Sequence, residues 1–148
     1  MGSGKTGESL SANETVIRIL KVNTANGQAS PQDFELSSSD KLSPIKSISV
    51  WANSLTTPQQ AREFLGGTSS TCLKYCLISV GRIRSIILSN CDIRIDVVWD
   101  NLTGVLPGIE GHCGITGLHR PEMLPREPYK RLRVRLADIA NENLHTFE

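Results

Sequence analysis

The chain lacks a long apolar run. Nowhere in its 148 residues is there the stretch of roughly 18 apolar residues that a membrane-spanning helix needs. It lacks charge of one sign: a net charge of +1 excludes nucleic-acid binding by bulk charge and leaves only a local basic patch. Aromatic residues are few (two Trp, two Tyr, three Phe) and scattered along the sequence, which argues against a stacking platform for single-stranded RNA. The start, Met1 to Glu14, is small and polar, without the apolar core of a secretory signal. The four cysteines are therefore expected to be reduced thiols in a cytoplasmic setting and not a disulfide framework. There is no Cys-x-x-Cys pair and no Gly-x-Ser-x-Gly elbow. Gly4-Lys5-Thr6 lacks the upstream glycine and strand of a phosphate-binding loop.

What is present reads as one globular domain, 39% apolar and 21% charged. In Cys91–Asp100, Ile93, Ile95, Val97 and Trp99 alternate with Asp92, Arg94, Asp96 and Asp100, the period of a strand with one dry face. In Arg131–Leu136, Leu132, Val134 and Leu136 alternate with Arg131, Arg133 and Arg135, which predicts a second such strand. Thr15–Val22 is β-branched and apolar and predicts a buried first strand, with Asn26-Gly27 as a tight turn and Phe34–Leu36 returning. Ser37–Ser43 reads as a polar loop and Ile45–Trp51 as a further strand. Thr57-Pro58-Gln59-Gln60 is a capped helix start, ended by Gly66-Gly67. Ser70-Thr71 then caps a second helix carrying Cys72 and Cys76 on its apolar face, although Leu77–Val80 also suits a strand. Asn101–Tyr129, with Gly104, Gly108, Gly111, Gly114, Gly117 and four prolines, is a long loop holding one short strand near His112–Leu118.

The expected fold is α+β: a single compact domain, mainly antiparallel sheet packed against one or two short helices, with a long Gly/Pro-rich loop. Residues 1–14 are expected to be disordered, 15–140 to form the domain and 141–148 to be a tail.

No constellation of residues demands catalysis. His112 and Cys113 are adjacent, so on a strand they point to opposite faces and cannot form a nucleophile–base pair. Cys72, Cys76, Cys91, His112, Cys113 and His119 offer ligand types that zinc accepts, but the cysteines fall on apolar faces, where a thiol packs as a small hydrophobe. No metal, cofactor, small-molecule substrate or enzymatic activity is expected. Arg120, Arg126, Lys130, Arg131, Arg133 and Arg135 form the main basic cluster, extended by Arg82 and Arg84. On a strand its arginines stand about 6.5–7 Å apart, a spacing that fits phosphates or anionic headgroups as well as a wet face paired to carboxylates. Gly2, in Met1-Gly-Ser-Gly-Lys-Thr6, fits the pattern of an N-terminal acyl acceptor.

From Trp51 to Leu136 the order of elements resembles the matrix proteins of negative-strand RNA viruses, the rhabdovirus type in particular. The resembling features are a helical middle, a strand ending in Val98-Trp99-Asp100, Gly111-His-Cys-Gly114 and His119-Arg-Pro121 in a Gly/Pro-rich loop, and a strand Leu132-Arg-Val-Arg-Leu136. The chain departs from that family in being short and in lacking a basic, proline-rich arm with a Pro-Pro-x-Tyr motif. The resemblance implies a non-enzymatic virion protein that self-associates, lies on the inner membrane leaflet and binds nucleocapsid or RNA. The competing classes are a cytosolic protein-interaction domain and a small hydrolase working from the long loop.

Overall fold

The computed structural model describes residues 3–20, 27–66, 74–88 and 91–147. Its centre is Thr15–Leu20 (β1), whose Val16, Ile17, Ile19 and Leu20 are all buried, so the strand is dry on both faces. β1 pairs antiparallel with Ile48–Ala52 (β2) on one side and along its whole length with Lys74–Ser79 (β3) on the other. With Asp96–Trp99 (β4), His112–Thr116 (β5) and Leu144–Thr146 (β6), these strands make one antiparallel sheet in the order β4-β5-β2-β1-β3-β6. The expected α+β class holds.

The helices are Ser38–Leu42 (α1), Pro58–Phe64 (α2), Val80–Arg84 (α3) and Glu127–Asn141 (α4). On one face of the sheet, Leu132, Leu136, Ala137 and Ala140 of α4 pack with Ile83 of α3, Phe34, and Val16, Ile48, Val50, Ile78, Val97 and Ile115 of the strands. On the other, Ala61 and Phe64 of α2 cover Ile17, Ile19 and Trp51. The start of α2 follows its local code. Thr57 Oγ1 accepts from the Gln60 N–H at 3.2 Å, Gln60 Oε1 accepts from the Thr57 N–H at 3.1 Å, and Gly66 turns away at φ 70°.

Several expectations are corrected. Arg131–Leu136 is not a strand but the middle of α4. Tyr129, Leu132, Leu136 and Ala140 recur at helical spacing and are buried, whereas Val134 is 45% exposed. Pro128 suits the first turn, and Leu, Arg, Lys and Ala are good helix formers. The central strand is shorter than Cys91–Asp100, beginning at Asp96, because its partner ends: Thr116 is the last paired residue of β5, and Gly117 turns at φ 93° with the Arg94 carbonyl where a Cβ would stand. Phe34 closes a 3-10 turn, Pro31–Phe34, wound by a capping box between Ser30 and Asp33. Ser38–Leu42 is a short helix capped by Ser37. Cys76 lies on a strand, Lys74–Ser79, the alternative that Leu77–Val80 also suited; Cys72, Val22 and Asn26 fall outside the described residues.

Both chain ends join the sheet. Residues 3–14, expected to be disordered, run along β4: Gly7 N–H donates to the Trp99 carbonyl (2.8 Å), Trp99 N–H to Glu8 (2.9 Å) and Leu10 N–H to Val97 (3.0 Å), and Leu10 is only 2% exposed. This covers a sheet edge that would otherwise present unpaired main-chain groups. The expected tail contains β6 at the opposite edge. Asp96 fastens the arm: its carboxylate accepts from Ser9 Oγ (2.5 Å), Arg84 Nε (2.5 Å) and the Val97 N–H (2.7 Å). Partial burial alone would raise its pKa. The hydrogen bonds from Ser9, Arg84 and Val97, with the Arg84 charge, outweigh that and hold it below the ordinary 3.8.

Two predictions follow from these contacts. Leu136→Ala should cost about 2–5 kcal/mol, while Val134→Ala should stay within roughly 0.5 kcal/mol. Urea unfolding checks this, and equal losses would favour the strand reading. A depressed carboxyl pKa contributes stability above its unfolded value, and that stability is lost as pH falls through the folded one. Asp96→Asn should therefore be less stable than the original at neutral pH. The two melting curves should converge as pH drops below the ordinary aspartate value of 3.8.

Candidate anionic-surface site

Successive residues on a helix turn by about 100°, and this divides the expected arginine row. Arg131 and Arg135, one turn apart, point outward with Lys130, and all three are exposed. Arg133 turns inward: its side chain is 20% exposed and its Nε lies 4.0 Å from Glu35 Oε1. Arg126 is exposed at the cap of α4. Arg120 is half-buried and winds the loop ahead of the helix, its Nη1 donating to the carbonyls of Leu124 (2.8 Å), Glu122 (3.1 Å) and Pro121 (3.3 Å). The single arginine face is thus corrected to an outer group, Arg126, Lys130, Arg131 and Arg135, and an inner pair, Arg120 and Arg133. Arg82 and Arg84 extend neither group, because they pair with Glu142 (2.6 Å) and Asp96 (2.5 Å). Gly2 lies outside the described residues.

Among the described residues, no ion pair ties Arg126, Lys130, Arg131 or Arg135 to a carboxylate, although Glu127 and Asp138 share the outward side. The chain leading into α4 adds a feature the basic count missed. Met123 is 95% exposed and Leu124 46%, three and two residues before Arg126. The outer group therefore combines an apolar tip with a cationic flank. Its signal in the sequence is Met123-Leu124 set directly before the basic run Arg126 to Arg135.

Four of the seven aromatic residues, Trp51, Phe64, Tyr75 and Phe147, dispersed in sequence, gather on the α2 face. The Trp51 ring centroid is 6.1 Å from Phe64 and 5.4 Å from His112, and Tyr75 stacks on His145 at 5.1 Å and meets Phe147 at 4.8 Å. The Arg62 guanidinium lies 4.0 Å over Phe147. The expectation that no aromatics cluster is corrected. Strand pairing assembles them, and sequence distance conceals it. Here the rings contact one another.

His112 Nδ1 lies 2.8 Å from the Asp100 carbonyl and Nε2 lies 2.9 Å from Ser49 Oγ. A carbonyl only accepts, so in the neutral ring Nδ1 carries the proton and Nε2 accepts from Ser49. That is the donor polarity of a nucleophile and its base. However, the Asp100 carboxylate stands 3.6 Å off, the ring is packed between Trp51 and Phe64, and Ser49 sits in mid-strand. The arrangement ties β2 to β5 and to the start of the long loop.

Burial pushes the thiols of Cys76 and Cys113 up to about 12, in Cys76 against the opposing charge of Arg18. Cys91 is half-buried, and Cys76, Cys91 and Cys113 are all free. Among the described residues, no group of three or more His, Cys, Asp or Glu is placed to hold a metal ion.

No family model, curated protein or solved structure matches this chain. The resemblance to matrix proteins rests on the sequence pattern, and its last element, Leu132–Leu136, is helical here.

Thiolate is the reactive form of cysteine. With iodoacetamide at pH 8, Cys91 should be alkylated in the folded protein, while Cys76 and Cys113 should react only on unfolding. Peptide mass mapping reads this, and rapid native labelling of Cys76 would contradict the burial argument.

Proposed function

We propose that this protein is a non-enzymatic, peripheral membrane-binding structural protein of the matrix type. It lies on an anionic leaflet through the outer side of α4 and the loop before it. Self-association and engagement of nucleocapsid or RNA, implied by the resemblance, complete the reading. The observation that carries it is the pairing of exposed Met123 and Leu124 with Arg126, Lys130, Arg131 and Arg135. An apolar tip enters the headgroup boundary while flanking cations meet acidic lipid, and the two contributions add. Among the described residues, no helix is long and apolar enough to cross a membrane, so binding by this route is peripheral. Acylation at Gly2 would supply a second anchor. One acyl chain binds only marginally, and a basic patch makes it stable.

Each Lys or Arg near an anionic surface contributes about 1 kcal/mol. In vesicle flotation at low salt, replacing Arg126, Lys130 and Arg131 together by Gln should weaken binding to phosphatidylserine vesicles by roughly 3 kcal/mol, over a hundredfold. High salt should weaken the original protein similarly. Met123→Asp with Leu124→Asp should abolish flotation with all four cations present. Folded variants that float as well as the original would overturn the reading in favour of a protein-interaction domain.

A further inference from the structure

The inner pair of arginines faces a second feature. Between α1, the 3-10 turn and α4 lies an open cleft of 440 Å³ lined by Lys41, His119, Arg120 and Arg133, with Glu35 and Glu122 at its sides. Among the described residues, Arg133 Nε is buried and has no hydrogen-bond partner. Glu35 Oε1, at 4.0 Å, is too far to accept, and the Glu35 side chain is 57% exposed. Guanidinium is always protonated and has no acceptor to offer, so the buried Nε–H is a donor left unpaired, while the side chain, 20% exposed, lines the cleft.

We propose that this cleft binds a phosphate monoester. Three fixed cations face two carboxylates, so the cleft favours an anion. A phosphomonoester carries a charge of about −1.5 to −2 at neutral pH and three acceptor oxygens, and a guanidinium fork matches two of them in parallel. Arg120, held by three carbonyls, and Lys41, in the last turn of α1, supply charge from the other walls. The volume suits a phosphorylated sugar or inositol ring. Entry of the phosphate displaces Glu35 from its loose approach to Arg133.

The source of the phosphate can be a lipid headgroup or a soluble ester. The lipid source rests on the membrane reading above, because Arg120 and Glu122 line the cleft while Met123 and Leu124 follow directly in the loop. The phosphate site itself does not depend on that reading.

The experiment uses the full chain and two probes. By calorimetry, inositol 1,4,5-trisphosphate should bind one-to-one and saturably. Arg133→Gln should weaken binding at least tenfold, Lys41→Gln should weaken it less, and Glu35→Gln should tighten it. A merely structural Arg133–Glu35 pair would give no tightening. If Arg133→Gln fails to fold, Arg133→Lys keeps the charge, loses the fork and should still weaken binding. In flotation, vesicles holding phosphatidylinositol 4-phosphate should be preferred over phosphatidylserine vesicles of equal charge, and Arg133→Gln should erase only that preference. Absence of saturable soluble binding, or binding indifferent to Arg133 and Lys41, overturns the phosphate site even if phosphatidylserine flotation persists. Soluble binding without vesicle binding supports the site and overturns its lipid source, together with the membrane reading.

Discussion

A central strand that is dry on both faces constrains everything else in this molecule. Val16, Ile17, Ile19 and Leu20 are all buried, and a strand of that kind is stable only if both sides of its sheet are covered. α4 and α3 cover one side and α2 the other. Arg18 is the exception in mid-strand. β1 and β2 stay paired only at Val16–Ala52 and Ile17–Trp51, and beyond that the Arg18 guanidinium donates to the Ser49 carbonyl (2.8 Å) and twice to the Asp33 carbonyl (3.0 and 2.6 Å). Burial pulls its pKa below the usual arginine value, yet guanidinium is basic enough to remain charged. The charge is thus satisfied by main-chain dipoles, and it fastens the 3-10 turn to the sheet. That turn in turn places the Glu35 carboxylate 4.0 Å from Arg133 Nε.

The elements legible in the sequence are those whose signal is local. The Thr57-Pro58-Gln60 start of α2 is encoded by hydrogen bonds within four residues, and β1 by a run rich in β-branched residues that only Arg18 interrupts. The arginine segment failed because it satisfies two periods at once. Leu132, Val134 and Leu136 read as a strand, whereas Tyr129, Leu132, Leu136 and Ala140 read as a helix, and a six-residue window contains only the first pattern. A window from Pro128 to Asn141 contains the second. The N-terminal arm and β6 failed for a different reason. They are held to the sheet edges largely by main-chain hydrogen bonds, to which side-chain pattern is nearly blind, and Leu10 alone hinted that the arm is anchored.

The same misread period decided how much of the site was legible. The residues were identified but not their grouping. As a strand, Arg131, Arg133 and Arg135 would be equivalent. As a helix they separate, Arg131 and Arg135 to open water and Arg133 to a cleft wall. The difference is energetic as well as geometric. Exposed charges separated by more than about a Debye length, ~8 Å at physiological salt, are largely screened from one another. The outer group is therefore a tunable, salt-sensitive surface. A guanidinium whose Nε is withdrawn from water is screened far less, and it discriminates by geometry as well as by attraction.

That separation bears on why an otherwise unexceptional α+β domain keeps Met123 and Leu124 in water. Scattered exposed hydrophobic residues are normal on protein surfaces, and Val105 and Leu106 in the same long loop are examples. The 123–124 pair differs in its surroundings. Arg120 fixes the turn beneath it through three carbonyl hydrogen bonds, and α4 begins three residues later with its cations outward. A tip built on a braced turn loses little conformational freedom on meeting another surface, so more of its contact energy survives as affinity. Bracing by a half-buried arginine, an apolar tip and a cationic helix in immediate succession are what the proposed contact of this loop with an anionic interface rests on.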